Sequence, residues 1–220
     1  MFSGNDQVKW SLTKDGIFSV KSLYRAMILK SIGYPHKFMW KAKIPLKIKK
    51  FLWLTLRKSI LTKDNLLRRG WKGNPLCHFC GGLETVDHLF ISCSADRLIW
   101  SVLRCAFNLN TIPDSMEGLF GTWLNSFNAG KKNMVLVGVV AVLWSIWNAR
   151  NEICFDNKKI HDPMVLVHRV IHWINLWSML QIKQGNREAM TWGARLLERV
   201  VNEVFHALRG WRTGRLRITG

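Results

Sequence analysis

The strongest constraint on this chain is the seventeen-residue stretch Cys77-His-Phe-Cys-Gly-Gly-Leu-Glu-Thr-Val-Asp-His-Leu-Phe-Ile-Ser-Cys93. Cys77, Cys80, His88 and Cys93 follow the pattern C-x2-C, then H-x4-C. Two cysteines separated by two residues can aim both sulfurs at one ion from a tight turn. Gly81-Gly82 supplies the positive φ that lets backbone amides fold back toward thiolates. His88 and Cys93 are five apart, a spacing that fits the two ends of a short helical or irregular segment. Three thiolates and an imidazole suit Zn²⁺, which is tetrahedral and borderline-soft. Four protein ligands close the site, so the expected role of the one ion is structural. His78, between the first two cysteines, is a rival ligand, although such a turn normally points that side chain outward.

Five cysteines, three of them in this box, argue against a disulfide framework. Cys105 and Cys154 read as buried thiols on helices. The expected location is inside the cell, in a reducing compartment such as the nucleus. Residues 1–6 have no basic segment followed by an apolar run, so no secretory signal is expected.

The residues around the box resemble a known family. The Cys-x2-Cys pair, then Glu84-Thr85, His88-Leu89-Phe90, Cys93 and Trp100, are similar to the zinc-binding domain that follows the reverse transcriptase in plant non-LTR retroelements. Upstream, Gly16-x-Phe18-Ser19-Val20-Lys21-Ser22-Leu23-Tyr24, Pro45-x-Lys47-x-Lys49-x-Phe51-Leu52-Trp53 and Ile60-Leu61-Thr62-x3-Leu66-x2-Arg69-Gly70 resemble the same family. The motifs run in order from Trp10 to Ala106. A weaker echo, Trp144-Ser145-Ile146-Trp147-x-Ala149-Arg150-Asn151 with Phe155, resembles the segment downstream of that domain in such elements. The resemblance implies a piece of a retroelement polyprotein, or a host gene derived from one.

The expected fold is mostly α with a small N-terminal β-hairpin: a zinc-stapled helical domain over residues 1–110 and a helical extension over 111–220. Val8, Trp10 and Leu12 alternate before Asp15-Gly16, and Ile17 to Val20 resume, as in a hairpin. Helices are expected from Ser22 to Ser31, Phe38 to Lys43 and Leu46 to Lys58, the last packing an Ile48–Phe51–Leu52–Thr55 stripe inward. Thr62 should cap Lys63 to Arg69, with Gly70 as terminator. Ser94 should cap a helix to Phe107 that buries Leu98, Val102, Cys105 and Ala106. Pro113 marks the boundary. Beyond it, Asp114 and Glu117 suggest a capping box for a helix to Phe127, and Gly130-Lys131-Lys132 reads as a joint. Met134 to Trp147 is too short to span a bilayer and reads as a core helix. Asp162-Pro163 should open a helix to Lys183, which Gly185-Asn186 breaks, and Arg187 to Arg209 a last one before a loose basic tail.

Charge is the second strong signal. The chain carries a net +19, and residues 1–75 hold 17 of the 33 Lys/Arg against Asp6, Asp15 and Asp64 alone. From 41 to 72, Lys41, Lys43, Lys47, Lys49, Lys50, Arg57, Lys58, Lys63, Arg68, Arg69 and Lys72 interleave with Trp40, Phe51, Trp53 and Trp71. Cations neutralise phosphates and aromatic faces stack on unpaired bases, so the expected partner is RNA or DNA, held through its backbone. The rival expectations are a zinc-stabilised assembly domain whose tryptophan-rich helices bind a protein partner, and a degenerate retroelement fragment without its own function. No adjacent acids suit a polymerase, and the only Asp-Gly is explained as a hairpin turn, so no polymerase, ribonuclease H or endonuclease centre is expected. His168-x3-His172 has zincin spacing, but Arg169 stands where the base should be.

Overall fold

A computed structural model describes residues 9–11, 13–19, 21–22, 37–156, 158, 160, 162 and 164–206. The chain divides into two compact units, residues 1–40 and 41–220. In the first, the Trp10 amide donates to the Gly16 carbonyl at 2.8 Å, Gly16 has φ 71°, and the Trp10 and Phe18 rings meet edge to face at 4.8 Å. That is the turn expected of Asp15-Gly16, but no strand occurs among the described residues. Val8, Leu12 and Val20, on which the hairpin rested, lie outside them, as do residues 23–31 of the expected helix from Ser22 and the basic tail.

Helix α1 is Lys37–Lys41. In the second unit, α2 is Leu46–Leu56 and buries Ile48, Phe51, Leu52 and Thr55, the expected stripe. Phe51 packs edge to face on Trp144 at 5.0 Å and on Phe90 at 6.1 Å. Helix α3, Lys63–Arg68, ends as Gly70 predicts. Gly70 has φ 86°, its amide reaches Leu67 and the Trp71 amide reaches Leu66, the paired bonds of a glycine-terminated helix. The same end on α2 uses Lys58 at φ 51°, held by Asn65 Nδ2 donating to the Lys58 carbonyl at 2.7 Å.

Helix α4, Ser94–Phe107, begins one residue earlier than expected, with Cys93 at the N-cap position. Its buried face is Ile99, Trp100, Val102 and Leu103. Cys105 is exposed, against expectation, because Trp100 sets the rotation: its indole N–H donates to the Phe90 carbonyl at 2.9 Å in the core. The expected cap at Asp114 is Ser115, whose Oγ accepts from the Gly118 amide at 3.0 Å. A three-residue helical turn, Met116–Gly118, then widens into a π-turn, Leu119–Trp123.

Helix α5 runs 28 residues, Ala129–Asp156, through the expected joint. Asn128 Oδ1 accepts from the Lys131 amide at 3.0 Å, so Gly130 falls in a capped first turn and breaks nothing. By length and composition this helix could cross a membrane. Every position from Val139 to Ile146 is nevertheless buried in the protein, as befits a helix enclosed on all sides. Asp162 Oδ1 accepts the Met164 amide at 2.8 Å, as expected of a cap, and starts α6, Met164–Ser178. The break after it falls at residues 179–183, earlier than Gly185-Asn186, which lie in the first turn of α7, Gln184–Val200. Gln181 sets that break: buried, it donates to the Trp177 carbonyl at 3.0 Å, and its own carbonyl accepts from Arg187. Helix α7 packs on α4 and α6, and α6 packs on α5, and Gly193 lets α7 approach Phe107, where a Cβ would sit 3.3 Å from the ring. The boundary expected near residue 110 falls inside this second unit.

Candidate metal centre

The C-x2-C half is a tight loop. An isolated antiparallel bridge joins Leu76 to Leu83, the Cys77 amide donates to the Gly82 carbonyl at 2.6 Å, and the Gly81 amide returns to the Cys77 carbonyl at 2.9 Å. Gly81 alone of the glycine pair has positive φ, 78°. The Phe79 amide donates to Cys77 Sγ at 3.4 Å, which favours the thiolate. Gly82 is needed for space instead: a Cβ there would come within 3.0 Å of His88 Cε1 and 3.6 Å of Cys80 Sγ.

The H-x4-C half owes its spacing to a π-turn, His88–Ser92. Positions five apart on an α-helix point about 140° away from each other. The wider π-turn closes that angle, and the Cys93 amide donates to the His88 carbonyl at 2.8 Å across five residues. Thr85 starts the turn, its Oγ1 accepting from the His88 amide at 3.1 Å.

Together these halves place Cys77 Sγ 3.9 Å from Cys93 Sγ and Cys80 Sγ 3.1 Å from His88 Nε2. The four ligand atoms lie within 4.8 Å of one another. A tetrahedral zinc with bonds of about 2.3 Å sets its sulfurs about 3.8 Å apart, so the set suits one zinc ion. Bound there, the ion supplies folding free energy and is closed to substrate. His78, the rival, is exposed and outside the group.

The two buried thiols are unequal. The neighbouring Cys93 holds Cys77 down to about 5, while the same contact, then burial, pushes Cys93 up. Two thiolates at this distance both ionise only beside a cation. Asp96, buried near them, is pushed well above the usual carboxylate range by burial and then by the Cys77 charge.

A residue that the metal spacing did not single out ties the loop to the rest of the unit. Glu84 is buried, and its Oε1 accepts from the Lys63 amide at 2.9 Å, capping α3 in place of Thr62. The Thr62 hydroxyl turns instead to Asp64 Oδ1. The same Glu84 oxygen accepts from Arg150 Nη2 at 2.7 Å and Nε at 3.1 Å, on α5. Arg150 is 2% exposed and Glu84 0%, a fully buried ion pair. Lys63, also buried, donates its ammonium to the Leu76 carbonyl. The signal in the sequence was an acid inside the metal box and an arginine on an apolar helix, 66 residues apart.

The expected phosphate-binding cations fare differently. Lys41, Lys43, Lys47, Lys50, Arg57 and Arg69 are exposed. Lys47 reaches over Trp144 at 5.7 Å and Arg57 over Trp53 at 4.6 Å. Lys49 is half-buried, and burial, then the charge of Lys43, pulls its ammonium below its ordinary value. Lys58 instead pairs with Asp87 at 2.7 Å and Glu117 at 3.5 Å, and Arg68 with Asp64 at 2.6 Å.

Residues 18–100 match the family described as zinc-binding in reverse transcriptase. A protein of Arabidopsis thaliana named as a ribonuclease H protein is 31% identical over 101 residues, 43% of this chain and 16% of the relative. The chain therefore spans a small part of that relative's length. No solved structure matches. The four ligands of the loop and π-turn are gathered inside the matched segment, so residues 18–100 are similar, site included, to the family described as zinc-binding in reverse transcriptase.

Proposed function

We propose that the chain is a non-catalytic, zinc-stabilised module that binds RNA or DNA through backbone phosphates, as part of a retroelement reverse transcriptase polyprotein or a gene derived from one. The observation that carries this reading is the start of α2. Its first five residues include Lys47, Lys49 and Lys50 and no acid. Cations at a helix N-terminus oppose the macrodipole, each by about 0.3–1 kcal/mol. Residues 41–57 contain no Asp or Glu to offset them. Such an arrangement costs stability, and a bound polyanion relieves it. The burial and repulsion that lower the Lys49 ammonium point the same way.

The relative's ribonuclease H name is not carried over to this chain. Three of the described carboxylates are engaged in ion pairs: Glu84 with Arg150, Asp87 with Lys58, and Glu152 with Arg169. We read α5 as a core helix, because it carries the buried Arg150, and we propose no membrane partner. The setting that suits the module is a reducing compartment, the nucleus included, where three thiols stay free for zinc.

The test is the affinity of zinc-loaded protein for a labelled oligonucleotide across a salt series. Neutralising about four phosphates gives a log–log slope of about −3 to −4. Changing Lys41, Lys43, Lys47 and Lys50 to glutamine should flatten that slope and leave zinc content unchanged. Absence of binding at low salt overturns the reading.

A second reading has its own observation. The end of α6 and its connection to α7 expose Leu176, Met179, Leu180 and Ile182, the last 74% exposed. That apolar tip suits a protein-docking role for the helical extension. A defined oligomer or stable protein complex without nucleic-acid affinity would favour it.

A further inference from the structure

We infer that Trp71 is a stacking platform for an unpaired base, so that the basic surface takes single-stranded nucleic acid in preference to duplex. This rests on the nucleic-acid reading above and adds to it the strandedness of the ligand.

In the core, Trp100 and Trp177 are 1% exposed, whereas Trp71 is 41% exposed. The glycine-terminated end of α3 puts it there. Gly70 turns the chain out at φ 86°, and the Trp71 amide is fixed by the Leu66 carbonyl at 3.1 Å. The six-membered ring then lies directly against Gly73, where a Cβ would come within 1.8 Å of Cζ2. The ring is thus held against backbone at Gly73 while the residue stays 41% exposed. A large aromatic surface left in water on an anchored loop contributes little to folding, but an anchored ring loses little entropy on binding.

Its neighbours indicate the chemistry of the occupant. Residues 67–72 are all exposed, and they include Arg69 and Lys72. Between residues 63 and 83 the only acid is Asp64, and Arg68 and Thr62 engage it. The same loop exposes Leu76 and Leu83, opposed across the bridge that closes the metal site. Cations beside an exposed indole match a phosphate backbone with a free base, since every base presents a π-face. In a duplex those faces are already stacked, and opening them costs a few kcal/mol. The lysines at the start of α2 read phosphate in either form, so Trp71 is what separates the two.

The test compares binding of a short oligo(U), a short oligo(dT) and a duplex of equal length to the full zinc-loaded chain. The wild type should favour both single strands over duplex, and oligo(U) against oligo(dT) tells whether RNA or DNA is preferred. Trp71→Leu, apolar but unable to stack, should weaken single-strand binding about tenfold and leave duplex binding unchanged. Trp71→Phe should keep most of the affinity. The salt slope should be the same in all three proteins, because stacking releases no counterions. Should the leucine variant lose zinc, Gly73→Ala makes the same comparison, since its methyl group must displace the ring. Equal wild-type affinity for single strands and duplex overturns the inference. So does a Trp71→Leu loss that is absent or equal on both ligands, or a Trp71→Phe loss as large. In those cases the binding reading survives. No binding of any ligand by the wild type at low salt overturns both.

Discussion

The metal box and the basic stretch before it are both dense in chemically expressive residues, yet they relate to the fold in opposite ways. In the box, four ligands set by spacing alone converge, two buried at the core and two at the surface. In the basic stretch, cations of one type and one neighbourhood are put to different uses. Lys47 and Lys50 face outward, Lys58 pairs with Asp87, Arg68 with Asp64, and Lys63 is buried against the Leu76 carbonyl. Metal coordination is short-ranged and directional, so local spacing determines it. A lysine's role depends on which acids the tertiary fold brings near, and those come from elsewhere in the chain.

The largest effect should come from the box. Cys93→Ser removes a thiolate ligand at the residue that ends the π-turn and precedes α4, while sparing the backbone bond that closes the turn. Structural zinc contributes on the order of 10 kcal/mol in small modules, so the variant should lose stoichiometric zinc and hydrogen-exchange protection across residues 75–93. Retained protection without metal would show that the loop folds by itself.

Next is the pair joining the box to α5. Arg150→Met leaves Glu84 buried without its cation and should cost about 3–5 kcal/mol in urea unfolding. Adding Glu84→Gln should recover much of that loss, since the stranded charge is gone. A cost below about 1 kcal/mol would mean that the box is more self-contained than the fold implies.

A smaller effect separates the lysines themselves. Lys58→Gln should lower stability by up to about 1 kcal/mol, because its ion pairs are half-exposed, and should leave the salt slope of nucleic-acid binding alone. Lys47→Gln should do the reverse. If both flatten the slope equally, the division drawn between them is wrong.

The smallest is an acid titration away from the metal. Arg169, bonded to both Glu152 oxygens at 2.9 and 2.8 Å, holds the Glu152 carboxyl below its ordinary value. Its stabilisation is therefore present above the unfolded-state pKa and is lost as pH falls through the lower, folded-state one. Glu152→Gln should destabilise by about 1 kcal/mol near neutrality, with the difference from wild type vanishing under acid. A difference independent of pH would assign the effect to packing.

Much of this was legible in the sequence, and the limits are physical. The ligand set, the α2 stripe and the Gly70 stop rest on interactions within a few residues, and each stands as expected. The π-turn was visible only as an odd interval of five, because its geometry follows from the ligands it serves. Glu84 could be read as an acid in a motif, but its partner Arg150 is set by packing of α5. The joint expected at Gly130 failed because Asn128 caps the helix just before it, and the buried face of α4 was misplaced because a tryptophan hydrogen bond fixed its rotation.

The account stands on one zinc held by Cys77, Cys80, His88 and Cys93. X-ray absorption at the zinc edge of purified protein tests it most directly. It should show one metal per chain, with three sulfurs at about 2.3 Å and one nitrogen at about 2.0–2.1 Å. Fewer sulfurs, an oxygen ligand, or protein that folds with no zinc would contradict it.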